Sequence, residues 1–166
     1  KEYRRQRQMC IRDSLYSVVP SEMPTEYQKE ALKAQAVCAR SYAIKQMAGK
    51  RLAALGAHVD DSVSFQVYNN LREDAASIAA VNETKGQVVF AENQVAETYF
   101  YSVSAGVSAG IKEVWFAKKD RSYLMQCVLL GDSRKTLDLQ KEADFSEFLQ
   151  GEIKSYDTNS QWYRWR

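Results

Sequence analysis

The residue best suited to chemistry is Glu22, a carboxylate in the apolar segment VVPSEMP (residues 18–24). Its local pattern leaves two interpretations open. Ser21 and Glu22 are residue types that favour the start of a helix, where unpaired backbone N–H groups and the positive end of the helix dipole stabilise a carboxylate. Alternatively, the apolar neighbours disfavour the charged form, and a carboxyl group that keeps its proton near neutral pH can serve as a general acid.

Two cationic residues downstream could hold an anionic ligand. Lys33 and Arg40 are seven residues apart, so in a helix they project from one face. That face is either a solvated polar stripe, continued by Glu26 and Lys29, or a cationic wall for a ligand. Arg40 lies in AVCARSYAI, where the other residues are expected to be buried. A buried arginine needs a carboxylate or hydroxyl acceptor.

Two further segments carry side chains that could contact a sugar. Gln66 and Tyr68 stand on the polar side of an alternating segment and can hydrogen-bond hydroxyl groups. Ser102 and Ser104 belong to the small-residue loop SVSAG (residues 102–106). Such a loop either lets a ligand approach the backbone or simply makes a turn.

The common catalytic and metal-binding motifs are missing from the sequence. His58 is the only histidine, so neither a Ser–His–acid triad nor a zinc site has support. The three cysteines, Cys10, Cys38 and Cys127, include no CxxC pair, and Cys38 is expected to be a buried thiol inside a helix. A phosphate-binding GxxxxGK[ST] loop is also missing. We therefore expect no metal and no cofactor.

The spacing of apolar residues predicts the elements that position these side chains. Residues 25–47 are rich in good helix formers and in alanine, which predicts a long helix ended by Gly49 and packed closely by its neighbours. Residues 62–68 alternate as a strand does, and GQVVF and VAETYFYSV flank AENQ as a hairpin. Shorter helices are predicted within residues 71–84 and 144–150. This order predicts an α+β fold, with one long central helix packed against antiparallel strands.

The chain of 166 residues suits one domain, and its 45% hydrophobic and 27% charged residues are typical of a globular protein. No apolar run is long enough to span a membrane, and no signal peptide is visible. The excess of basic over acidic residues is confined to the first 14 residues. Residues 1–14 hold five basic and two acidic residues, so the rest of the chain carries −1 against +2 for the whole.

Residues 1–14, KEYRRQRQMCIRDS, show no helix or strand periodicity and contain MCIRDS, which resembles a translated sequencing-adapter scar. We expect them to be a non-native tail, followed by one domain at 15–166 that is truncated at both ends. The alternative is an arginine-rich arm that binds nucleic acid. That alternative depends on the tail alone, so we expect no nucleic-acid partner.

Five blocks occur in order: VVPSEMP, EALKAQAVCARSYA, FQVY, AAVNETKGQVV, and YFYSVSAG followed by EVW. From Leu15 to Trp115 they resemble the SpoIID (stage II sporulation protein D) family of peptidoglycan lytic transglycosylases, which includes LytB-type amidase enhancers. The resemblance implies a substrate, the peptide-free glycan strands of the bacterial cell wall. It also implies a reaction: the bond from N-acetylmuramic acid to N-acetylglucosamine is cleaved without water, leaving a 1,6-anhydro end, as the septal wall is remodelled during engulfment of a forespore.

The same resemblance assigns roles to residues. Glu22 matches the catalytic glutamate, while Lys33 and Arg40 match basic positions in the helix block. Gln66 and Tyr68 match the QVY block, and with Ser102 and Ser104 they complete the implied substrate-binding set. One carboxylate suffices in such a reaction, because the 6-hydroxyl of the sugar replaces water as the nucleophile.

The chain departs from the family pattern in two places. Some sporulation members bind zinc through cysteines and a histidine before the QVY block, but this chain has Asp60 and Phe65 about where the cysteines would fall. The glycine-rich loop often reads SSGG, whereas Ala105 replaces a glycine here. The resemblance further implies an extracytoplasmic location facing the cell wall, an anchor in a segment absent from this chain, and a cell-wall amidase and a membrane scaffold as partners. The alternative function is a glycan-binding amidase enhancer without catalytic activity.

Overall fold

A computed structural model of the protein describes two compact units, Lys1–Tyr99 and Phe100–Arg166. The described residues are 2–49, 51–52, 54, 56–60, 65–69, 71–104, 107–115, 121–125, 127–128, 138, 140–150 and 157–161, with the backbone alone for 2–10, 107 and 127–128.

Three helices form the core of the first unit: α1 (Glu2–Glu22), α2 (Lys29–Ala48) and α3 (Ala75–Glu83). Each packs against the other two. The buried core is small and rich in alanine, which lets the helix backbones approach closely; it contains Leu15, Val18, Val19, Leu32, Ala36, Ala39, Ala80 and Val81. The predicted alanine-rich face of α2 is therefore a packing face.

Helix α1 is the largest departure from the sequence prediction, because it runs through residues for which no periodicity was predicted. Its inward face has a helical spacing, since Ile11, Leu15, Val18 and Val19 follow one another at steps of four, three and one. Pro24 disfavours a helical conformation at the preceding residue, and α1 ends at Glu22. The prediction that residues 1–14 are a non-native tail does not depend on their conformation and stays a prediction.

Helix α2 begins at Lys29, four residues later than predicted, and ends before Gly49 as predicted. A turn closed by the Tyr27 N–H and the Pro24 carbonyl separates it from α1. The detail of one long central helix is not confirmed, because α1 has 21 residues and α2 has 20.

The remaining elements of the first unit follow α2. Helix α3 begins after Asp74, whose Oδ1 accepts hydrogen bonds from the N–H groups of Ala76 and Ser77. Strands β1 (Phe90–Ala91) and β2 (Gln94–Val95) form the predicted hairpin. Glu92 and Asn93 at its tip have φ of 51° and 59°, the signature of a type I′ turn. The predicted strand at 62–68 is not observed at residues 65–68, and residues 62–64 lie outside the described part.

In the second unit, β3 (Val107–Ser108) pairs antiparallel with β4 (Cys127–Val128). Helix α4 (Ile111–Trp115) lies between them in sequence, and α5 (Glu142–Gln150) confirms the helix predicted at 144–150. The α+β fold class is thus confirmed. Within the described ranges, we find no helix with the length and apolar character needed to cross a membrane.

Candidate active site

Glu22 is the last residue of α1, so its prediction as a helix-start residue is wrong. The side chain is half-buried, and its Oε1 accepts a hydrogen bond of 2.8 Å from the backbone N–H of Val67. The C-terminal end of a helix is the negative end of its dipole and opposes a negative charge there. The Val67 N–H therefore does two things: it orients the carboxyl group, and it offsets part of that opposition.

Ser21 reinforces the contact between α1 and the QVY block. Its hydroxyl donates to the carbonyl of Ser17 at 2.7 Å and accepts from the N–H of Asn69 at 3.1 Å. Two backbone N–H groups, those of Val67 and Asn69, are thus held by neighbouring side chains at the end of α1. The sequence patterns did not single out this role of Ser21, because the partner is a backbone group 48 residues away.

Gln66 and Tyr68 stand on either side of Val67 and line a cavity of about 400 Å³. The amide of Gln66 also donates to the carbonyl of Ala39 at 3.3 Å, which ties this segment to α2. The structure therefore brings three predicted site residues, Glu22, Gln66 and Tyr68, to one place. The cavity walls come from α1, α2 and two chain segments after α2, and the lining residues are Ile11, Ser14, Leu15, Val18, Ala43, Met47, His58, Val59, Asp60, Gln66 and Tyr68.

Arg40 turns its guanidinium toward α3 and the residues that follow it. Arg40 is only 8% exposed. Its guanidinium donates hydrogen bonds to three backbone carbonyls, those of Thr84 (2.8 Å), Gln87 (3.0 Å) and Val81 (3.1 Å). It also contacts the Thr84 hydroxyl at 3.4–3.5 Å. Burial lowers the pKa of Arg40 from its usual value. These contacts satisfy carbonyls at the C-terminal end of α3, a position where a cation is favoured.

Of the two kinds of acceptor expected for a buried arginine, a carboxylate or a hydroxyl, the described contacts of Arg40 include only the hydroxyl. The Thr84 hydroxyl fits the expectation, but most of the acceptors are backbone carbonyls rather than a carboxylate. With its donors turned inward, Arg40 joins α2 to α3, and its contacts do not support a role in binding substrate.

Lys33 contacts the same end of α3 from the surface. Its Nζ lies 2.8 Å from Glu30 and 3.9 Å from Glu83, and the hydrogen bond with Glu30 raises the pKa of Lys33. Glu83 is also paired with Lys29 at 2.6 Å, and this hydrogen bond lowers the pKa of Glu83. The arrangement favours the interpretation of a solvated polar stripe.

Ser102 and Ser104 belong to the second unit. Ser102 is exposed, whereas the N–H and the hydroxyl of Ser104 both donate to Oδ2 of Asp157, at 2.8 and 2.7 Å. Ala105, the residue that departs from the family loop, lies outside the described residues, as does Gly106. The substrate-binding roles of the two serines stay predictions.

Phe65 stands about where the family resemblance would place a cysteine. Phe65 packs its ring against the guanidinium of Arg51, whose Cζ lies 4.7 Å from the ring centre. Among the described residues, no group of three or more His, Cys, Asp and Glu side chains is arranged to hold a metal ion.

Sequence comparison assigns the chain to a family. The family model described as "SpoIID: Stage II sporulation protein" matches residues 1–90, which is more than half of the chain. The chain belongs to the SpoIID family. The matched range contains Glu22, Lys33, Arg40, Gln66 and Tyr68.

Two curated relatives illustrate the membership of this SpoIID chain. It is 35% identical over 113 residues to a protein named amidase enhancer from Bacillus subtilis, a match that covers 64% of this chain and 15% of the relative. It is 33% identical over 119 residues to stage II sporulation protein D from Bacillus amyloliquefaciens, covering 63% of this chain and 35% of the relative. The chain thus spans about a third or less of the length of these relatives.

Proposed function

We propose that this chain is a peptidoglycan lytic transglycosylase that cleaves the N-acetylmuramic acid–N-acetylglucosamine bond of peptide-free glycan strands. One observation carries the proposal: the Glu22 carboxyl group is held by the Val67 N–H beside a cavity lined by Gln66 and Tyr68. Membership of the SpoIID family supports it. The geometry has the parts that a single acid–base residue needs, namely a fixed orientation and a neighbouring space for a sugar.

The two oxygens of Glu22 divide the work in this mechanism. Oε1 accepts from the Val67 N–H, so the proton is carried on Oε2. Oε2 donates this proton to the glycosidic oxygen as the bond from that oxygen to C1 breaks. The 6-hydroxyl of the same sugar then attacks C1 and gives its proton back to Oε2, so Glu22 acts first as acid and then as base. Because nucleophile and reacting carbon belong to one sugar, binding it in the right conformation supplies the proximity.

The biological setting belongs to the same proposal. Relatives of this chain are named stage II sporulation protein D and amidase enhancer. We place the activity on the cell-wall side of the membrane during sporulation, in a protein anchored by a segment outside this chain. Its partners would be glycan strands, a cell-wall amidase and a membrane scaffold.

The test uses a matched pair of substitutions. Glu22→Gln keeps the shape of the side chain but removes the acid, whereas Glu26→Gln makes the same change at an exposed position four residues along. Wild-type protein and Glu26→Gln should release 1,6-anhydro products from peptide-free glycan strands, detected by mass spectrometry, and Glu22→Gln should release none. Equal release by all three proteins would show that Glu22 is not the acid.

The second candidate is a glycan-binding amidase enhancer without catalytic activity, and the relative of that name favours it. In this case the wild-type chain binds glycan strands, releases no anhydro products, and accelerates peptide removal by a cell-wall amidase. The same acceleration by Glu22→Gln would separate this function from catalysis.

A further inference from the structure

The loop SVSAG (residues 102–106) is attached to a distant segment of the second unit at one residue, Ser104. The backbone N–H and the hydroxyl of Ser104 both donate to the same atom, Oδ2 of Asp157, at 2.8 and 2.7 Å. Hydrogen bonds to a carboxylate are among the stronger ones in proteins. Residues 101–104 lie outside any helix or strand. The two bonds therefore give this segment an attachment that regular secondary structure does not supply.

Asp157 is itself held in place by its own turn. The Ser160 N–H donates to the Asp157 carbonyl at 2.9 Å, which closes a four-residue turn, and aspartate is a favoured residue at the first position of such a turn. The carboxyl group thus extends from a backbone position that is already fixed by a hydrogen bond. A loop attached to this turn has fewer conformations to lose when a ligand binds to it.

The two serines of the loop are placed differently. Ser104 is 9% exposed and directs its hydroxyl hydrogen to Asp157, whereas Ser102 is exposed. A buried side chain that is already hydrogen-bonded can donate to a ligand only by giving up its present contacts, which costs free energy. An exposed hydroxyl exchanges water for a sugar hydroxyl without this loss. Ser102 is therefore suited to contact the substrate, and Ser104 is suited to hold the loop.

We propose that Asp157 is a positioning residue for glycan binding: it fixes the SVSAG loop through Ser104 and so presents Ser102 to the sugar chain. This inference rests on the proposed function, because peptide-free glycan strands are the ligand. It divides between anchoring and contact the substrate-binding role that the family resemblance implies for both serines. It also adds Asp157, which lies beyond the five blocks that carry the resemblance and outside the range matched by the family model.

A double-mutant cycle tests the positioning role. Calorimetry with peptide-free glycan strands on the Glu22→Gln chain measures binding without turnover. Losing one hydrogen bond, or ordering the loop only when the ligand binds, weakens binding about five- to tenfold, so we expect Ser102→Ala and Asp157→Ala each to raise Kd by this factor. Together they should raise Kd no further than Asp157→Ala alone, because a loop that is no longer held does not present Ser102. Effects that multiply, or an unchanged Kd for Asp157→Ala, would overturn the proposal.

Two further variants separate positioning from a general loss of stability. Asp157→Asn keeps an oxygen that can accept both hydrogen bonds of Ser104, so its Kd should stay within about threefold of that of the parent chain. Asn159→Ala changes an exposed residue of the same turn and should leave Kd unchanged. If Asp157→Asn binds glycan as weakly as Asp157→Ala, then Asp157 acts through its charge rather than by holding Ser104, and the proposal is wrong.

A labelling measurement covers the case in which Asp157→Ala does not fold. In the Glu22→Gln chain, saturating glycan strands should slow alkylation of the thiol introduced by Ser102→Cys several-fold, as located by mass spectrometry. Alkylation of the thiol introduced by Asn159→Cys, the exposed control, should not change. An unprotected thiol in the Ser102→Cys variant, or a chain that binds no glycan strands, would overturn the proposal.

The two proposals can fail separately. If the wild-type chain releases no anhydro products but the Kd values and the protection are as expected, the proposed catalysis fails and the glycan contact through Ser102 stands. If the wild-type chain cleaves the strands while glycan leaves the Ser102→Cys thiol unprotected, the catalysis stands and this positioning role is refuted.

Discussion

Replacing Arg40 by methionine distinguishes a structural role of this residue from a role in ligand binding. Methionine keeps an unbranched apolar stem but removes the guanidinium, which donates to the carbonyls of Val81, Thr84 and Gln87. Val81 and Thr84 are 1% and 2% exposed, so their carbonyls cannot readily turn to solvent. The substitution therefore removes the charged donor from both carbonyls, while the Thr84 carbonyl keeps the Gln87 N–H at 3.0 Å and the Val81 carbonyl keeps a longer contact with the Thr84 hydroxyl at 3.4 Å.

The cost follows from these two acceptors. A hydrogen bond to a charged group contributes about 1.5–3 kcal/mol, which gives about 3–6 kcal/mol for the pair. Methionine carries no charge, so the substitution also removes the desolvation cost of burying the guanidinium, and this offsets part of the loss. We expect the free energy of unfolding to fall by about 2–4 kcal/mol, a large share of the ~5–15 kcal/mol typical of a domain.

Urea unfolding followed by circular dichroism measures this loss. With a slope of about 2 kcal/mol per molar urea, the midpoint should fall by roughly 1–2 M. Lys33→Met is the matched control on the same face, because its ion pairs with Glu30 and Glu83 are screened by solvent and we expect their loss to change the midpoint little. If Arg40→Met unfolds at the wild-type urea concentration but no longer binds glycan, the guanidinium serves the ligand and its structural role is refuted.

Two further predictions concern the site and the thiol in α2. Ser21→Ala removes the acceptor for the Asn69 N–H, so the segment that holds Glu22 loses one of its two hydrogen bonds to the end of α1. We expect kcat on glycan strands to fall about tenfold with little change in KM, and Ser21→Thr to restore it. An equal loss in both variants, or an effect on KM alone, would argue against this positioning role. Burial raises the pKa of the Cys38 thiol, and alkylation requires the thiolate. Mass spectrometry should therefore find that an alkylating reagent labels Cys38 slowly at pH 8. The labelling should become faster as the pH rises through the raised pKa. Labelling at pH 8 as fast as in urea-unfolded protein would contradict this.

Local patterns predicted the elements whose signals lie within a few residues. The helix before Thr84, the hairpin around AENQ and the helix ending at Gln150 were all confirmed, because capping, turn chemistry and periodicity are short-range properties. The strand at residues 62–68 failed at its described part. Alternation indicates only that one side of a segment is buried, and here residues 66–69 meet the end of α1 through single backbone hydrogen bonds.

The candidate site depended on contacts between distant parts of the chain. Local sequence could not show that Glu22 meets Val67, 45 residues later, or that Arg40 satisfies carbonyls beyond α3. The ordered family blocks placed Glu22 and the QVY segment in one site, and the structure brings them together. Setting aside residues 1–14 also hid the contribution of Ile11, whose spacing from Leu15 and Val18 is that of one helix face.

The central claim is that Glu22 carries the proton that cleaves the glycan. Its most direct test is the initial rate at which 1,6-anhydro ends form on peptide-free strands, compared between the wild-type chain and Glu22→Gln at equal thermal stability. A positioned acid–base group contributes about 10²–10⁴-fold, so we predict a rate lower by at least a hundredfold and no new reducing ends. Equal rates, or products with ordinary hydrolysed ends from the wild-type chain, would contradict the account.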